Sequence, residues 1–319
     1  MTSTMVSLLD VDPGAYRPSA LHNPGRLFPE TNCYVDLWIE LLHAQGIDPA
    51  SAMVSAFTID FEGDQWTFFK PWPEELLTLF GIDVHEMQLY RPIVDHITEQ
   101  LAAGRTIIVE ADSFFLPDTA GTSYQQAHVK SSIAIEAIDP TEQRLRYFHG
   151  SGYYELSGSD YCGILRLGRK LSDEVLPPYV EVVRFDAGPR LDGANLRNAG
   201  RELTRRALAR IPNRNPWTSF GERLGRDLSS LLAGTEKTYH AYAFATVRQC
   251  GAAFELAKSF VEWLGAPDCS DVKTAAEAFG HQAAGAKTLL FKLARRRRFD
   301  PGPEIEQLAK EWETAIASL

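Results

Sequence analysis

The chain has few cysteines and no pair of them at metal-binding spacing. Four occur in 319 residues, and they are far apart: Cys33, Cys162, Cys250 and Cys269. A zinc site or a disulfide scaffold needs a denser set, so we expect a reducing compartment, the cytoplasm. Three acidic residues alternate within 60–64 but lack the distal Glu of a calcium loop. We therefore predict no metal site.

Long apolar runs and an excess of positive charge are also missing. No stretch reaches the roughly 20 apolar residues that cross a bilayer, and Met1 to Pro18 lacks the pattern of a signal peptide. The formal net charge of −10 argues against general binding to nucleic acid or to an anionic membrane. The basic run Arg295–Arg298 is expected to be a solvated helix end, with docking of an acidic partner as the alternative.

A helix with a cysteine in its first turn is predicted over 32–46. Its apolar residues recur with helical spacing: Tyr34, Leu37, Trp38, Leu41 and Leu42. Thr31 or Asn32 is the expected N-cap, and Gly46 the expected end. A thiol at a helix N-terminus ionises more readily than a free one, which suits Cys33 to a nucleophilic role. The alternative is a small buried side chain.

Strands and helices are mixed before residue 188, and helices dominate after it. Strands are predicted at 53–59, 65–69, 106–110, 129–138, 144–148 and 179–185. Helices are predicted at 73–80, 91–103, 195–210, 217–233, 236–264, 271–297 and 303–318. These patterns indicate an α+β protein with a first domain at 1–188 and a helical domain at 189–319.

The order of cysteine and histidine along the chain matches that of papain-like enzymes. Acyl transfer by a thiolate requires a base nearby and a third group that orients the base. Cys33 begins a helix, His128 precedes a strand, and His149 ends the returning strand, near the usual third position. Asp112, after a buried strand, and Asp139, at the far end of the hairpin, are alternatives to His149.

Four segments carry a resemblance to a known family: NCYVDLWIELLHAQGIDP, DFEGDQWTFFK, GRTIIVEADSFFLPDTAGTSY and HVKSSIAIEAIDP. Residues 31–155 resemble the N-terminal region of the butirosin-biosynthesis acyltransferase, a papain-like cysteine acyltransferase family. Most of the chain is similar to an uncharacterised bacterial family related to it. The resemblance implies a papain-like core, with the nucleophile helix packed on an antiparallel sheet, followed by an all-helical region.

The resemblance also implies a reaction. An acyl group, in particular an aminoacyl group, passes from a carrier-protein phosphopantetheine thioester to Cys33 and then to an amine or another nucleophile. Cys33 matches the nucleophile and His128 the base. No permanently bound cofactor is implied, since the phosphopantetheine is a substrate arm. The expected partners are an acyl or aminoacyl carrier protein and a small-molecule or peptide acceptor.

Three further residues are candidates for substrate binding, each with an ordinary structural alternative. Asn32 could stabilise an oxyanion or only cap the helix, and Trp66 could line a pantetheine tunnel or pack in a core. Asp112 lies beside the predicted base. Two other functions stay open: a cysteine hydrolase (peptidase, amidase or thioesterase) and a non-catalytic carrier-binding module.

Overall fold

A computed structural model describes residues 5–167, 176–265 and 270–319. The strands are β1 Val6–Ser7, β2 Phe61–Glu62, β3 Gln65–Trp66, β4 Asp83–Glu86, β5 Thr106–Asp112, β6 Lys130–Asp139, β7 Arg144–His149, β8 Gly152–Ser157 and β9 Val180–Arg184. The helices are α1 Cys33–Ala44, α2 Pro73–Phe80, α3 Ile93–Ala102, α4 Ser159–Ile164, α5 Gly193–Leu208, α6 Pro216–Ala233, α7 Glu236–Ala243, α8 Gln249–Leu264, α9 Ser270–Ala294 and α10 Gly302–Ala317. The predicted α+β class and helical C-terminal region are confirmed.

Two units divide the chain, and neither is continuous in sequence. The first consists of the described residues of Met1–Ala20, Asn32–Ile47 and Leu76–Arg190. The second consists of those of Leu21–Thr31, Asp48–Glu75 and Leu191–Leu319.

An antiparallel sheet forms the centre of the first unit. Its strand order is β4-β9-β5-β6-β7-β8, and the short β1 pairs with the far end of β6. The β5–β6 ladder aligns Asp112 with Lys130 and Glu110 with Ser132. Since residues directly opposite each other on paired strands share a face, this register determines which side chains meet on each side of the sheet.

Helices cover both faces of this sheet. On one face, α3 and α4 pack over a core that includes Ile107, Val109, Ile133 and Ile135. On the opposite face, α1 packs against β6 and β7. Nine consecutive residues of α1, from Tyr34 to Leu42, are buried. The sequence predicted that α1 has one apolar face. Burial on all sides is instead typical of a helix in the interior of a protein.

A buried charged residue in α1 has hydrogen-bond partners in the segment before the helix. Glu40 is fully buried, and its carboxylate accepts hydrogen bonds from the Tyr16 hydroxyl at 2.5 Å and from the Ser19 backbone N–H at 3.1 Å. Buried carboxylates are stable only with such partners. Burial, followed by the charge of Glu40, raises the pKa of Tyr16 well above its usual range, which keeps this hydroxyl a donor.

Glycines end two of the helices of this unit, and the one after α1 was predicted. Gly46 follows α1 and Gly104 follows α3, with φ values of +66° and +79°. Both values lie in the left-handed region that glycine adopts without a steric penalty.

The second unit contains the β2–β3 hairpin and the helices from α5 to α10. Its core is aromatic: the ring of Phe57 lies 6.3 Å from those of Phe260 and Phe279. The predicted single helix over 236–264 is divided into α7 and α8 by a π-helical turn, Phe244–Arg248. No helix of the described residues has both the length and the apolar character that crossing a membrane requires.

One predicted strand is wrong. Residues 53–59 contain mainly a 3₁₀ helix, Val54–Thr58, which follows another, Pro49–Ala52. The side chain of Asp48 accepts from the Ala50 N–H, and Pro49 suits a first helical position. The short apolar run therefore packs in the core of the second unit as helical turns, since periodicity alone does not distinguish such runs from buried strands. The aromatic strand expected at 65–69 is limited to Gln65–Trp66.

A buried carboxyl group lies in β6. Glu136 occupies the irregular register between Ile135 and Ala137 and is 1% exposed. Its Oε1 accepts from the Thr106 hydroxyl at 2.5 Å, and its Oε2 has no hydrogen-bond partner among the described residues. Burial raises the pKa of Glu136 to about 8.

This carboxyl predicts how stability depends on pH. From about pH 4.5 to 8, the folded chain holds a proton that the unfolded chain has lost, so Glu136 lowers the free energy of unfolding as pH rises through that window. Glu136→Gln removes this loss, roughly 5 kcal/mol at most at 1.36 kcal/mol per pH unit. Urea denaturation at pH 5 and pH 8.5 measures the free energy of unfolding. Relative to the wild type, that of the variant should be higher at pH 8.5 than at pH 5. The control is Glu142→Gln, in the exposed turn after β6, and its free energy of unfolding should depend on pH as that of the wild type does. If the free energy of unfolding of Glu136→Gln has this same pH dependence, the prediction is wrong.

Candidate functional site

Helix α1 begins at Cys33, as the sequence predicted. The side-chain Oδ1 of Asn32 accepts hydrogen bonds from the backbone N–H groups of Tyr34 and Val35, at 3.2 and 2.9 Å. This cap fixes the first turn and satisfies two of the donors that a helix start leaves unpaired. Cys33 is only partly buried, so its thiol is not enclosed in the core. As the first residue of α1, it lies at the positive end of the helix dipole.

The thiol rests on strand β6. The Cys33 Sγ lies 3.8 Å from the Ser132 Oγ, which accepts its weak hydrogen bond. Glu110 is directly opposite Ser132 in the β5–β6 ladder and therefore shares its face. The next residue of α1, Tyr34, donates from its hydroxyl to Glu181 Oε2 at 2.7 Å, which ties the helix start to β9.

Burial keeps this tyrosine a donor. It is the main cause, with the charge of Glu181 second, that raises the pKa of Tyr34 well above its usual range. Tyr179 donates to the other oxygen of Glu181 at 2.9 Å. Burial, followed by the interaction with Glu181, raises the pKa of Tyr179 above its usual range. The sheet face next to the thiol thus carries a carboxylate with a fixed orientation.

His128 is held by Asp112. The His128 Nδ1 lies 2.6 Å from Asp112 Oδ2, and Asp112 Oδ1 accepts from the Phe114 N–H at 3.1 Å. The Phe114 ring is stacked on the imidazole with 4.5 Å between centroids. The carboxylate is therefore fixed through both oxygens, and the imidazole is oriented by one hydrogen bond and one stacking contact. The side chain of His128 is 66% exposed, so solvent reaches its ring.

A neutral imidazole whose Nδ1 is hydrogen bonded to a carboxylate has a defined tautomer, because the carboxylate can only accept. When Nδ1–H donates to the carboxylate, the lone pair is on Nε2, which is the arrangement of a general base. Among the described residues, the Cys33 thiol is hydrogen bonded to Ser132 and not to His128. The structure thus pairs His128 with Asp112 and places the thiol separately on β6.

Comparison with known proteins covers nearly the whole chain. The DUF1839 N-terminal domain matches residues 17–185, and the DUF1839 C-terminal domain matches residues 193–319. The chain belongs to the DUF1839 family. No curated protein matches it significantly. Cys33, Asp112 and His128 all lie in the DUF1839 N-terminal domain, while the helices from α5 onward make up the DUF1839 C-terminal domain.

His149, the residue expected to orient His128, has other partners. Its Nδ1 lies 2.5 Å from Asp118 Oδ2, and its Nε2 lies 2.7 Å from Ser131 Oγ. Ser131 and Ser132 are consecutive in an extended strand, so their side chains point to opposite faces of the sheet. His149 therefore lies on the α3 face, away from the thiol, and the hydrogen bond to His128 favours Asp112, one of the alternatives, as the third member.

The remaining candidates have ordinary structural partners. Trp66 is 3% exposed and packs against Trp217 in the core of the second unit, with 5.1 Å between centroids. Asp139 accepts from two backbone N–H groups of its own turn. Within the ranges that the structure describes, no three Cys, His, Asp or Glu side chains form a group that could hold a metal ion.

The other cysteines and the basic run have local roles. Cys250 is buried and donates to the Val247 carbonyl at 3.3 Å, and burial raises its pKa well above the usual range. Cys162 lies 3.8 Å from Gln143 Oε1, and Cys269 lies outside the described residues. Of the run after α9, Arg296 donates to the carbonyl oxygens of Leu232 and Gly234 at the end of α6.

Sequence reasoning did not identify Ser131, Ser132, Asp118 or Glu181. The only available signal was the alternation of residues along β6, which predicts that consecutive serines face opposite ways. Their partners come from α1, from β7 and from the residue before β9, so no local pattern connects them.

The cap of α1 can be tested directly. Asn32→Ala removes the acceptor of two backbone donors and should lower the free energy of unfolding by about 1 kcal/mol. Asn195→Ala, at an exposed position inside α5, is the matched control and should change it by less than about 0.5 kcal/mol. Urea denaturation of both variants measures the difference. Equal effects of the two substitutions would show that the cap contributes nothing.

Proposed function

We propose that this protein is a papain-like cysteine acyltransferase in which Cys33 is the nucleophile, His128 the base and Asp112 the residue that orients the base. The single observation that carries the proposal is the 2.6 Å hydrogen bond between His128 Nδ1 and Asp112 Oδ2. It gives the imidazole the tautomer of a general base, and the Cys33 thiol at the start of α1 lies on the same sheet.

The fold supports this assignment in two respects. The helix that begins with the cysteine packs on an antiparallel sheet, and the base and its carboxylate come from two neighbouring strands of that sheet or their ends. Asp112 ends β5, and His128 lies two residues before β6. Cys33 and His128 thus follow the papain-like order, whereas the orienting residue, Asp112, precedes the base in the chain and does not follow it.

The proposed reaction has two steps. His128 Nε2 takes the proton of the Cys33 thiol, and the thiolate attacks the carbonyl carbon of the carrier-protein phosphopantetheine thioester. The bond to the phosphopantetheine sulfur breaks, and that sulfur leaves with the proton from His128. An amine then attacks the Cys33 thioester, His128 takes its proton, and Cys33 is released as the thiol. The backbone N–H of Cys33 is the oxyanion donor, since those of Tyr34 and Val35 donate to Asn32 Oδ1.

The resting arrangement has to change during this reaction. His128 precedes Ser132 by four positions, which spans about 13 Å of extended chain, and the thiol rests on Ser132. The imidazole must therefore turn from the end of the sheet toward α1. Residues 127–129 lie outside the regular strand and are exposed, which allows this movement, and resting enzymes often hold their catalytic groups apart until substrate binds.

The substrate class rests on the resemblance of four segments of the chain to the acyltransferase family. It favours an acyl or aminoacyl carrier protein as the donor and a small-molecule or peptide amine as the acceptor. The few, widely spaced cysteines favour the cytoplasm as the compartment. The net charge of −10 means that an acidic carrier has to approach a locally basic surface.

A charged carrier protein tests the proposal. Incubation with an aminoacyl carrier protein should add the mass of the aminoacyl group to the Cys33 peptide, and Cys33→Ser should abolish the adduct. His128→Ala should slow acylation by roughly 10²- to 10⁴-fold, the usual contribution of a general base. Intact-protein and peptide mass spectrometry measure both effects.

His85→Ala is the matched control. His85 is 65% exposed and pairs with Asp83 at 2.9 Å on strand β4, so it is a histidine–aspartate pair of similar exposure. This variant should be acylated at the wild-type rate. If no charged carrier of any kind leaves an adduct on Cys33, the proposal fails. If free acid is released equally fast with and without an amine, the enzyme is a hydrolase.

A further inference from the structure

Three side chains on the α3 face form a hydrogen-bonded chain that the proposed thiol chemistry does not use. Ser131 Oγ lies 2.7 Å from His149 Nε2, and His149 Nδ1 lies 2.5 Å from Asp118 Oδ2. The Tyr147 hydroxyl donates to the second oxygen of Asp118 at 2.5 Å. Serine, imidazole and carboxylate are thus connected in the order and at the distances of a serine hydrolase triad.

The donors and acceptors in this chain have only one consistent arrangement for a neutral imidazole. Burial, followed by the charge of Asp118, raises the pKa of Tyr147 well above its usual range, so Tyr147 donates to Asp118 and does not accept. The carboxylate then accepts from the Nδ1–H of His149. The Nε2 is left as an acceptor, and the Ser131 hydroxyl donates to it. In this arrangement, His149 Nε2 can accept the hydroxyl proton of Ser131 when the serine attacks.

We propose that Ser131 is a second nucleophile of this protein, with His149 as its base and Asp118 as the positioning residue of His149. The substrates that fit are uncharged esters with an apolar acyl group. Ser131 is paired with Ala111 and lies two positions before Ile133, on the same face, and both of these neighbours belong to the apolar core under α3. A charged acyl group would have to be desolvated there without a partner.

Substrate entry in this proposal is by the turn between β7 and β8, where Gly150 and Ser151 are partly exposed. The side chains of His149 and Asp118 are 11% and 6% exposed, and Gly150 follows His149 with φ at +50°. The serine is thus largely sheltered from water but close to the surface at the end of a hairpin. A network that only stabilises the hairpin would have the same hydrogen bonds, so reactivity has to distinguish the two roles.

The proposed reaction is an ester hydrolysis. Ser131 Oγ attacks the carbonyl carbon while its proton moves to His149 Nε2. The bond to the alcohol oxygen breaks, and the alcohol leaves with that proton. Water then attacks the acyl-serine, gives its proton to His149 and releases the acid, and the serine hydroxyl is restored.

A fluorophosphonate probe tests this proposal on the full chain. Ser131 Oγ should form a bond to phosphorus as fluoride leaves, which adds one probe mass to the peptide that contains Ser131. Ser131→Ala should abolish this adduct, and His149→Ala should slow its formation at least 100-fold. His149→Gln is a second variant that keeps a polar side chain in the network in case the alanine variant does not fold. Peptide mass spectrometry and the rate of labelling measure these effects.

A kinetic measurement separates positioning from support of the fold. Asp118→Asn should lower the maximal rate of labelling about 100-fold or more, while the probe concentration that gives half of that rate stays the same. A purely structural role would instead change both values together or neither.

Two controls and two outcomes complete the test. Ser151→Ala, in the same hairpin, should be labelled like the wild type. Cys33→Ser should also be labelled at Ser131, which separates this proposal from the thiol chemistry. Absence of an adduct on Ser131, or an equal rate of labelling in both His149 variants and the wild type, would overturn the proposal.

Discussion

The β5–β6 ladder is the constraint on which both candidate sites depend. Its register aligns Asp112 with Lys130 and Glu110 with Ser132. Because side chains alternate along a strand, the ladder sends Ser132 toward α1 and Ser131 toward α3. A shift of one residue would exchange the two faces and separate Ser132 from Cys33 and Ser131 from His149. The buried core on the α3 face, with Ile133 and Ile135 fully enclosed, makes such a shift unfavourable.

Helix α1 is positioned by the same sheet and in turn positions the thiol. Its buried residues contact β6 and β7, and its one fully buried carboxylate is satisfied by Tyr16 and Ser19. With the Asn32 cap, these contacts leave little freedom at the helix start. A side chain on a rigid element is placed more accurately than one on a loop. The proposed nucleophile Cys33 has such a position, while the proposed base His128 lies just outside β6 and is held by Asp112.

Local patterns predicted the elements that local chemistry controls. Helix α1 begins and ends where its cap and Gly46 indicate, and strands β5, β6, β7 and β9 differ from the predictions by only one or two residues at each end. The long helices of the second unit were predictable because their apolar periodicity extends over many turns. The run at 53–59 was not, since a short apolar segment buried on all sides fits a strand and a helical turn equally well.

The sequence by itself determined that Cys33 begins a capped helix, that His128 precedes a strand and that an α+β first half is followed by helices. These properties follow from spacing, caps and turn residues, which act over a few positions. Only the tertiary structure decided that Asp112 holds His128 and that His149 belongs with Asp118 and Ser131 on the other face. The physical reason is that these partners are 16 to 31 positions apart in sequence, and strand register and loop closure, which no local pattern encodes, bring them together.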